Sequence, residues 1–218
     1  MKSSVHPVFI WLLPVIAISA LVLGVWAGFH EFGIPKESTQ SISISATVIP
    51  NPRALKPFSL SRHTGDSFSQ NSLRENWTFI AFGYTHCPDI CPTTLSVLSQ
   101  TADLLNQDGQ GSKPEFVFVS VDPDRDSLDR LATYVPYFNP EFIGATGPEA
   151  DLQQLTGQLG ILYRKVKDEE SALDYLVDHS ASIVLTDPKG RLHAVFSAPH
   201  DAQAMAADFQ NIERSYHP

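Results

Sequence analysis

The sequence is poor in cysteine, since only two of its 218 residues, Cys87 and Cys91, are of that type. A structural zinc site takes four protein ligands, often several of them cysteines, so two cysteines argue against such a site. In an exported chain, two cysteines usually form one structural disulfide. Their spacing has to be weighed against that simple interpretation.

Charged residues are missing from a long run near the N-terminus. No Asp, Glu, Lys or Arg occurs from Pro7 to Phe29. A helix of that length, at about 1.5 Å per residue, spans the roughly 30 Å hydrocarbon layer of a bilayer. The run is longer than the apolar part of a cleaved secretory signal, and no clear small-x-small cleavage site precedes Glu31. The sequence therefore predicts an uncleaved transmembrane anchor over residues 1–30.

The orientation of this anchor follows from the few charges around it. Lys2 and the terminal amine precede the apolar run, and the positive-inside rule leaves that short end in the cytoplasm. We expect a single-pass membrane protein whose soluble domain lies on the extracytoplasmic (periplasmic) side.

Basic residues are scarce in the part of the chain beyond residue 57. This part carries 11 Lys and Arg against 22 Asp and Glu, a net charge of −11. A domain with that charge repels phosphate backbones, so nucleic acid is excluded as a partner.

The chain after the anchor divides into a tether and one domain. Residues 31–56 are rich in Ser, Thr and Pro and form a linker that can end in a strand. Residues 57–218 alternate short apolar runs with helical stretches, which predicts a mixed α/β domain. Strands are predicted near residues 58–60, 77–82, 116–121, 142–145, 182–186 and 192–196. Helices are predicted at residues 92–105, 127–134, 149–159 and 202–212.

Two further segments have their own interpretation. The turn residues from Asp187 to Gly190 predict an antiparallel hairpin between the last two strands. Residues 161–178, with KVKDEE at their middle, are predicted as a surface excursion before a strand.

The segment FGYTHCPDICPTTL carries both cysteines from a buried strand into a helix. Each cysteine precedes a proline, which disfavours helical geometry at the cysteine. Pro92 suits the first helical position, so the pattern predicts Cys91 as the N-cap and places Cys87 in the preceding loop. A helix N-terminus lowers thiol pKa, and we expect both sulfurs to be available as thiolates.

This pattern predicts a metal site at one edge of the sheet. Thiolates bind soft ions, and two thiolates with one imidazole suit Cu(I), although zinc also uses mixed Cys and His ligands. Asp122 also directly follows a predicted strand, so it should lie on the same rim as the cysteines.

Three segments together resemble the signatures of the Sco/SenC family, in the family's order: FGYTHCPDICPTTL, VSVDPDRDSLDRLATYV and YLVDHSASIVLTDPKGRL. The resemblance implies a thioredoxin-like fold, here behind an N-terminal transmembrane helix, and a copper ion bound by Cys87, Cys91 and His179. It further implies a metallochaperone rather than an enzyme, which delivers copper to the CuA centre of cytochrome c oxidase during assembly. The implied partners are subunit II of that oxidase or another copper acceptor, and a copper donor protein.

Other functions stay open at this point. A thiol-disulfide reductase would use a redox-active disulfide of Cys87 and Cys91 to act on cysteines of the copper acceptor. Against it, three residues rather than two separate the cysteines, and no proline stands where related oxidoreductases carry a cis-proline. A peroxidase and a structural adaptor with an inert disulfide are the remaining alternatives.

The roles of three neighbouring side chains are also open. Asp122 is predicted either to orient a ligand or contact the acceptor, or only to cap a turn. Asp126 is predicted as a helix N-cap. His86 is adjacent to a cysteine, and because adjacent residues point apart we do not expect it to be a ligand.

Overall fold

The computed structural model describes residues 18–24, 26, 46–109, 111–167 and 175–217. Residues 18–24 and 26 are helical. None of the helices in these ranges is both long and apolar enough to pass through a bilayer. Most of the anchor predicted over residues 1–30 lies outside the described residues, and the anchor stays a prediction.

One mixed sheet of eight strands and a separate ladder of two strands account for the β structure of the described residues. The strands are β1 (Thr47–Ala54), β2 (Ser59–Arg62), β3 (Ser67–Ser69), β4 (Thr78–Gly83), β5 (Glu115–Ser120), β6 (Ile143–Thr146), β7 (Tyr163–Lys167), β8 (Tyr175–His179), β9 (Ile183–Thr186) and β10 (Arg191–Phe196). The order in the large sheet is β1-β10-β9-β4-β5-β6-β2-β3, and β7 pairs with β8.

The centre of the sheet is parallel and its flanks are antiparallel. Strands β4 and β5 are parallel, as are β5 and β6, while β9, β10 and β2 join by antiparallel pairing. Parallel neighbours need crossover connections, and helices supply them. The helices are α1 (Ile90–Asp108), α2 (Leu128–Tyr134), α3 (Glu149–Leu159) and α4 (Ala202–Ser215), with a short 3-10 helix at Gln70–Leu73.

Phenylalanine side chains form the middle of the core. The ring of Phe79 in β4 lies 5.1 Å from that of Phe116, 5.5 Å from that of Phe196 and 5.5 Å from that of Phe209, measured between centroids. These contacts join β4 to β5, β10 and α4. Every residue of β4 is buried, which explains why its sequence is a continuous apolar run rather than an alternating one. The packed core therefore fixes the position of β4 and of the sheet edge at its C-terminal end.

The predicted elements are present with small shifts of their ends. All six predicted strands and all four predicted helices occur, and the Asp187–Gly190 turn joins the antiparallel β9 and β10. The predicted excursion at residues 161–178 contains β7 and all of β8 except its last residue, His179. Strand β1 lies within the stretch assigned to the linker, where a strand was allowed at the end, and it pairs with β10.

Candidate metal centre

Cys87, Cys91 and His179 converge at the edge of the sheet where β4 ends. One ligand atom from each lies within 4.8 Å of the others, and no other group of three or more such residues occurs in the described ranges. The Cys91 sulfur is 3.3 Å from Nε2 of His179, although 88 positions separate the two residues in the chain. Cys91 is buried and the other two are half-buried, so the group borders on solvent. Both cysteines are free rather than joined in a disulfide bond.

The loop from residue 84 to residue 89, here called the cysteine loop, folds Cys87 back over the start of α1. The Cys87 N–H donates to the carbonyl oxygen of Tyr84 at 3.2 Å, which closes a tight turn. The Cys91 N–H then donates to the Cys87 sulfur at 3.4 Å. A backbone donor at a helix N-terminus thus faces the sulfur, as it would face an anion.

Helix α1 begins earlier than the sequence predicts. Its N-cap is Asp89 and its first residue is Ile90, so Cys91 lies inside the first turn and the prediction of Cys91 as N-cap was wrong. Pro92 is then the third helical residue. The first four N–H groups of a helix have no acceptor within the helix, so a proline there removes no helical hydrogen bond. The earlier start places Cys91 against the sheet.

A glycine leaves room for the buried sulfur. A Cβ atom added at Gly83 would lie 2.6 Å from the sulfur of Cys91 and 2.8 Å from the ring of Phe118. Any side chain at this position would collide with one or the other. Gly83 therefore sets how closely α1 approaches the end of β4.

The two cysteines differ in protonation. A hydrogen bond from the Cys91 thiol lowers the pKa of Cys87 to about 4, more strongly than burial raises it. The same hydrogen bond, together with burial, raises the pKa of Cys91 above its usual range. In the metal-free protein these opposite shifts favour a thiolate at Cys87 and a thiol at Cys91. These directions agree with the expectation of an available thiolate at Cys87 and run against it at Cys91.

Asp126 holds the cysteine loop in place through hydrogen bonds to Thr85. Its carboxylate is fully buried and accepts hydrogen bonds from the Thr85 N–H at 2.8 Å, the Thr85 hydroxyl at 2.6 Å and the Ser120 hydroxyl at 2.6 Å. The N-cap of α2 is Ser127, whose hydroxyl accepts from the Arg130 N–H at 3.2 Å. Asp126 was therefore wrongly predicted as the N-cap. Its role depends on contacts across the sheet, for which the sequence offers no local signal.

Asp122 lies with Asp126 on the loop between β5 and α2. Its side chain faces the β7–β8 ladder, which carries His179. The carboxylate is fully buried, accepts from the Tyr175 hydroxyl at 2.7 Å and forms an ion pair with Arg125. Both partners belong to this chain. A direct contact with another protein would require this carboxylate to be uncovered first.

His179 is the last residue of β8, directly opposite Tyr163 in β7. Its Nδ1 lies 3.1 Å from the carbonyl oxygen of Ser180, and its ring meets that of Tyr84 edge-on, with centroids 6.1 Å apart. An Nδ1–H that donates to Ser180 leaves the lone pair of Nε2 directed toward the sulfurs, the arrangement of a metal-binding imidazole. The Nδ1 atom of His86 instead lies 3.2 Å from the hydroxyl oxygen of Thr85.

A family model described as SCO1/SenC matches residues 47–214. Among curated proteins, the chain is 36% identical over 160 residues to "Protein SCO1 homolog 1, mitochondrial" of Arabidopsis thaliana, which covers 73% of this chain and 47% of that protein. It is 34% identical over 163 residues to "Protein SCO1 homolog, mitochondrial" of Homo sapiens, which covers 73% of this chain and 53% of that protein. The matches thus span about half the length of these relatives.

The solved structures that resemble this chain include copper-bound ones. The crystal structure of Arabidopsis thaliana ScoI with copper bound superimposes with a TM-score of 0.70 at 34% identity, over 75% of this chain and 100% of that one. The crystal structure of yeast Sco1 with copper bound gives a TM-score of 0.70 at 29% identity, over 76% of this chain and 92% of that one. The predicted mixed α/β, thioredoxin-like fold is confirmed.

Proposed function

The chain belongs to the SCO1/SenC family, and on that premise we propose that it binds a copper ion and delivers it to the CuA centre of cytochrome c oxidase during assembly. The observation that carries the proposal is the convergence of Cys87, Cys91 and His179, with their ligand atoms within 4.8 Å of one another. The copper-bound crystal structures of the Arabidopsis and yeast relatives support it.

The donor set fits the proposed cargo. Two sulfurs and one imidazole nitrogen are soft to borderline ligands, which suit Cu(I) better than hard cations that prefer oxygen. The lowered pKa of Cys87 favours its thiolate, and Cys91, whose pKa is raised, would release its proton when the ion binds. With three ligands at a half-exposed edge, an incoming thiolate of an acceptor can attach before the existing bonds break. The ion can then pass between proteins by ligand exchange.

Titration with Cu(I) tests this function. We expect the reduced protein to take up one ion per chain, and Cys87→Ala, Cys91→Ala or His179→Ala each to weaken binding severely in competition with a Cu(I) chelator. His86→Ala is the matched control, since this imidazole neighbours Cys87 in sequence but lies outside the ligand group. Full affinity in His179→Ala would overturn the proposed ligand set.

A thiol-disulfide reductase is the second candidate, and the low pKa of Cys87, about 4, favours it. A thiolate attacks a disulfide, and Cys91 is placed to resolve the mixed disulfide by forming a Cys87–Cys91 bond. Turnover with a disulfide substrate separates the two functions. A protein that only carries copper shows negligible turnover, whereas a reductase is inactivated by Cys87→Ala.

We infer that the domain works on the extracytoplasmic side of a membrane, held there by the apolar run from Pro7 to Phe29. A fusion of alkaline phosphatase to the C-terminus tests the side, because that enzyme is active only after export. Extraction of the full chain from membranes by alkaline carbonate would contradict the anchor.

A further inference from the structure

His179 lies on the β7–β8 ladder, which is separate from the eight-stranded sheet. Among the residues that the structure describes, β7 and β8 pair only with each other. A two-stranded ladder is marginally stable by itself, so side chains must fix its position. The ion pair between Arg164 and Asp178 in the ladder is exposed and adds little. The contacts that hold β8 to the domain therefore decide where the imidazole lies.

Tyr175, the first residue of β8, is held at three points. Its hydroxyl donates to Oδ1 of Asp122 at 2.7 Å, and its carbonyl oxygen accepts from Nη1 of Arg125 at 3.0 Å. The guanidinium carbon of Arg125 also lies 3.7 Å from the centroid of the Tyr175 ring. Arg125 in turn pairs with Asp122, which is completely buried. We call these three residues the tyrosine lock.

The lock is connected to the metal centre along one strand. Alternate residues of a strand face the same side, so Tyr175, Val177 and His179 all point one way, and Val177 between them is buried. Slippage by one residue would turn His179 to the opposite face. A tyrosine fixed at the start of β8 thus fixes the register and the facing of the imidazole at its end.

The lock contains neither cysteine and meets the cysteine loop at Tyr84, whose ring centroid lies 5.6 Å from the guanidinium carbon of Arg125. The cysteine loop is held by Asp126 through Thr85, and Cys91 belongs to α1. Asp122 and Asp126 are one turn apart, since the Asp126 N–H donates to the Asp122 carbonyl oxygen at 2.9 Å. One loop therefore supports both parts of the centre, with Asp126 hydrogen-bonded to the cysteine loop and Asp122 to the ladder.

We propose that Tyr175 is a positioning residue for copper binding, which holds the His179 imidazole beside Cys91 through its bonds to Asp122 and Arg125. The inference rests on the proposed function, because it takes His179 as a copper ligand. Tyr175 is not one of the three residues that would hold the ion. Its effect on copper is transmitted entirely through His179.

Tyr175→Phe tests the lock, because it removes one hydroxyl and keeps the ring under Arg125. We expect the affinity of the reduced, full-length chain for Cu(I) to fall on the order of tenfold, the size of one hydrogen bond to a charged group. The matched control is Tyr163→Phe in β7, whose hydroxyl donates to an exposed Glu149 oxygen at 2.8 Å and which should bind copper as the parent does. Equal losses in both variants would overturn a specific role for Tyr175.

The same change in a His179→Ala background separates positioning from general stability. If Tyr175 acts only through His179, Tyr175→Phe causes no further loss of copper affinity in that background. A further tenfold loss there would overturn the inference.

The ring signals of His179 in ¹⁵N NMR spectra of the metal-free, reduced protein provide a readout without copper. Tyr175→Phe should shift them and leave the alkylation rate of Cys87 unchanged. Unshifted signals refute the lock, whereas full copper affinity in His179→Ala alone refutes the proposed ligand set and leaves the spectral test of the lock standing.

Discussion

Cys87 and Cys91 are only four residues apart in the chain, yet their surroundings give them opposite tendencies to lose a proton. Cys87 is half-buried and accepts a backbone N–H and a thiol hydrogen bond, which stabilise its thiolate. Cys91 is buried beside that thiolate, and a second negative charge there is disfavoured. The reactive sulfur of the metal-free protein is therefore Cys87.

We predict that Cys87 of the reduced, metal-free protein reacts with iodoacetamide at an almost constant rate from pH 8 down to about pH 5. Because its pKa is lowered to about 4, the thiolate persists above that pH and the rate falls about tenfold per unit below it. In Cys91→Ala the stabilising thiol is missing, so the midpoint should move up toward the usual range. A midpoint near pH 8.5 in the parent protein, the ordinary thiol value, would contradict this assignment.

Gly83→Ala should damage both stability and the centre. The added methyl group would lie 2.6 Å from the Cys91 sulfur, so α1 or β4 must move. Overpacking of this kind lowers the free energy of unfolding by about 1–3 kcal/mol, measured by urea denaturation. Gly157→Ala is the control, since nothing lies within 4 Å of the added atom in α3 and alanine favours the helix. Equal stability of the two variants would show that the crowding at Gly83 is relieved elsewhere.

At the scale of elements, the loop between β5 and α2 contacts both the cysteine loop and the β7–β8 ladder. Asp126 ties this loop to the cysteine loop, and Asp122 ties it to the β7–β8 ladder. Both carboxylates are buried, and both owe their role to side-chain partners far away in sequence. Asp126 and Asp122 thus hold in place the cysteine loop and the ladder, which carry Cys87 and His179.

Asp126→Ala should lower the free energy of unfolding by about 3 kcal/mol. It removes the acceptor of three hydrogen bonds and leaves the buried donors of Thr85 and Ser120 without their partner. Asp103→Ala, at an exposed position of α1, is the control and should change stability by less than about 0.5 kcal/mol. Similar urea midpoints for the two variants would mean that Asp126 is dispensable for the cysteine loop.

The elements that the sequence predicted well are those with an apolar pattern. The continuous apolar run of β4 and the buried positions of α1 could be located without a structure. Strand β7 could not, because its sequence YRKVK has no fully buried residue. Strand β1 contains Pro50 and Pro52, which are typical chain breakers but are tolerated in a strand at the edge of a sheet.

At the scale of the whole molecule, the centre lies at an edge of the sheet that the strand order determines. The strand order alone does not locate the third ligand, His179. Strands β4 and β5 are parallel neighbours, so the segments after them must meet at one edge, and the sequence predicted that Asp122 and the cysteines share it. A single histidine after a polar segment carries no such signal. His179 was found through the family resemblance, and its distance to Cys91 depends on the ladder.

Copper should stabilise the folded domain mainly through His179. An ion bound only to the native state raises the free energy of unfolding by about 2.7 kcal/mol when its free concentration is 100 times the dissociation constant. The unfolded chain retains Cys87 and Cys91 four positions apart and can bind Cu(I) with them, which reduces this gain. His179 is 88 positions from Cys91 and joins them only in the folded state.

Urea denaturation at a buffered free concentration of Cu(I) should therefore show a clear gain in stability for the parent chain and for His86→Ala. In His179→Ala most of that gain should be missing, because the two cysteines bind copper in the folded and the unfolded chain alike. An equal gain in all three proteins would mean that the folded state holds the ion without this imidazole.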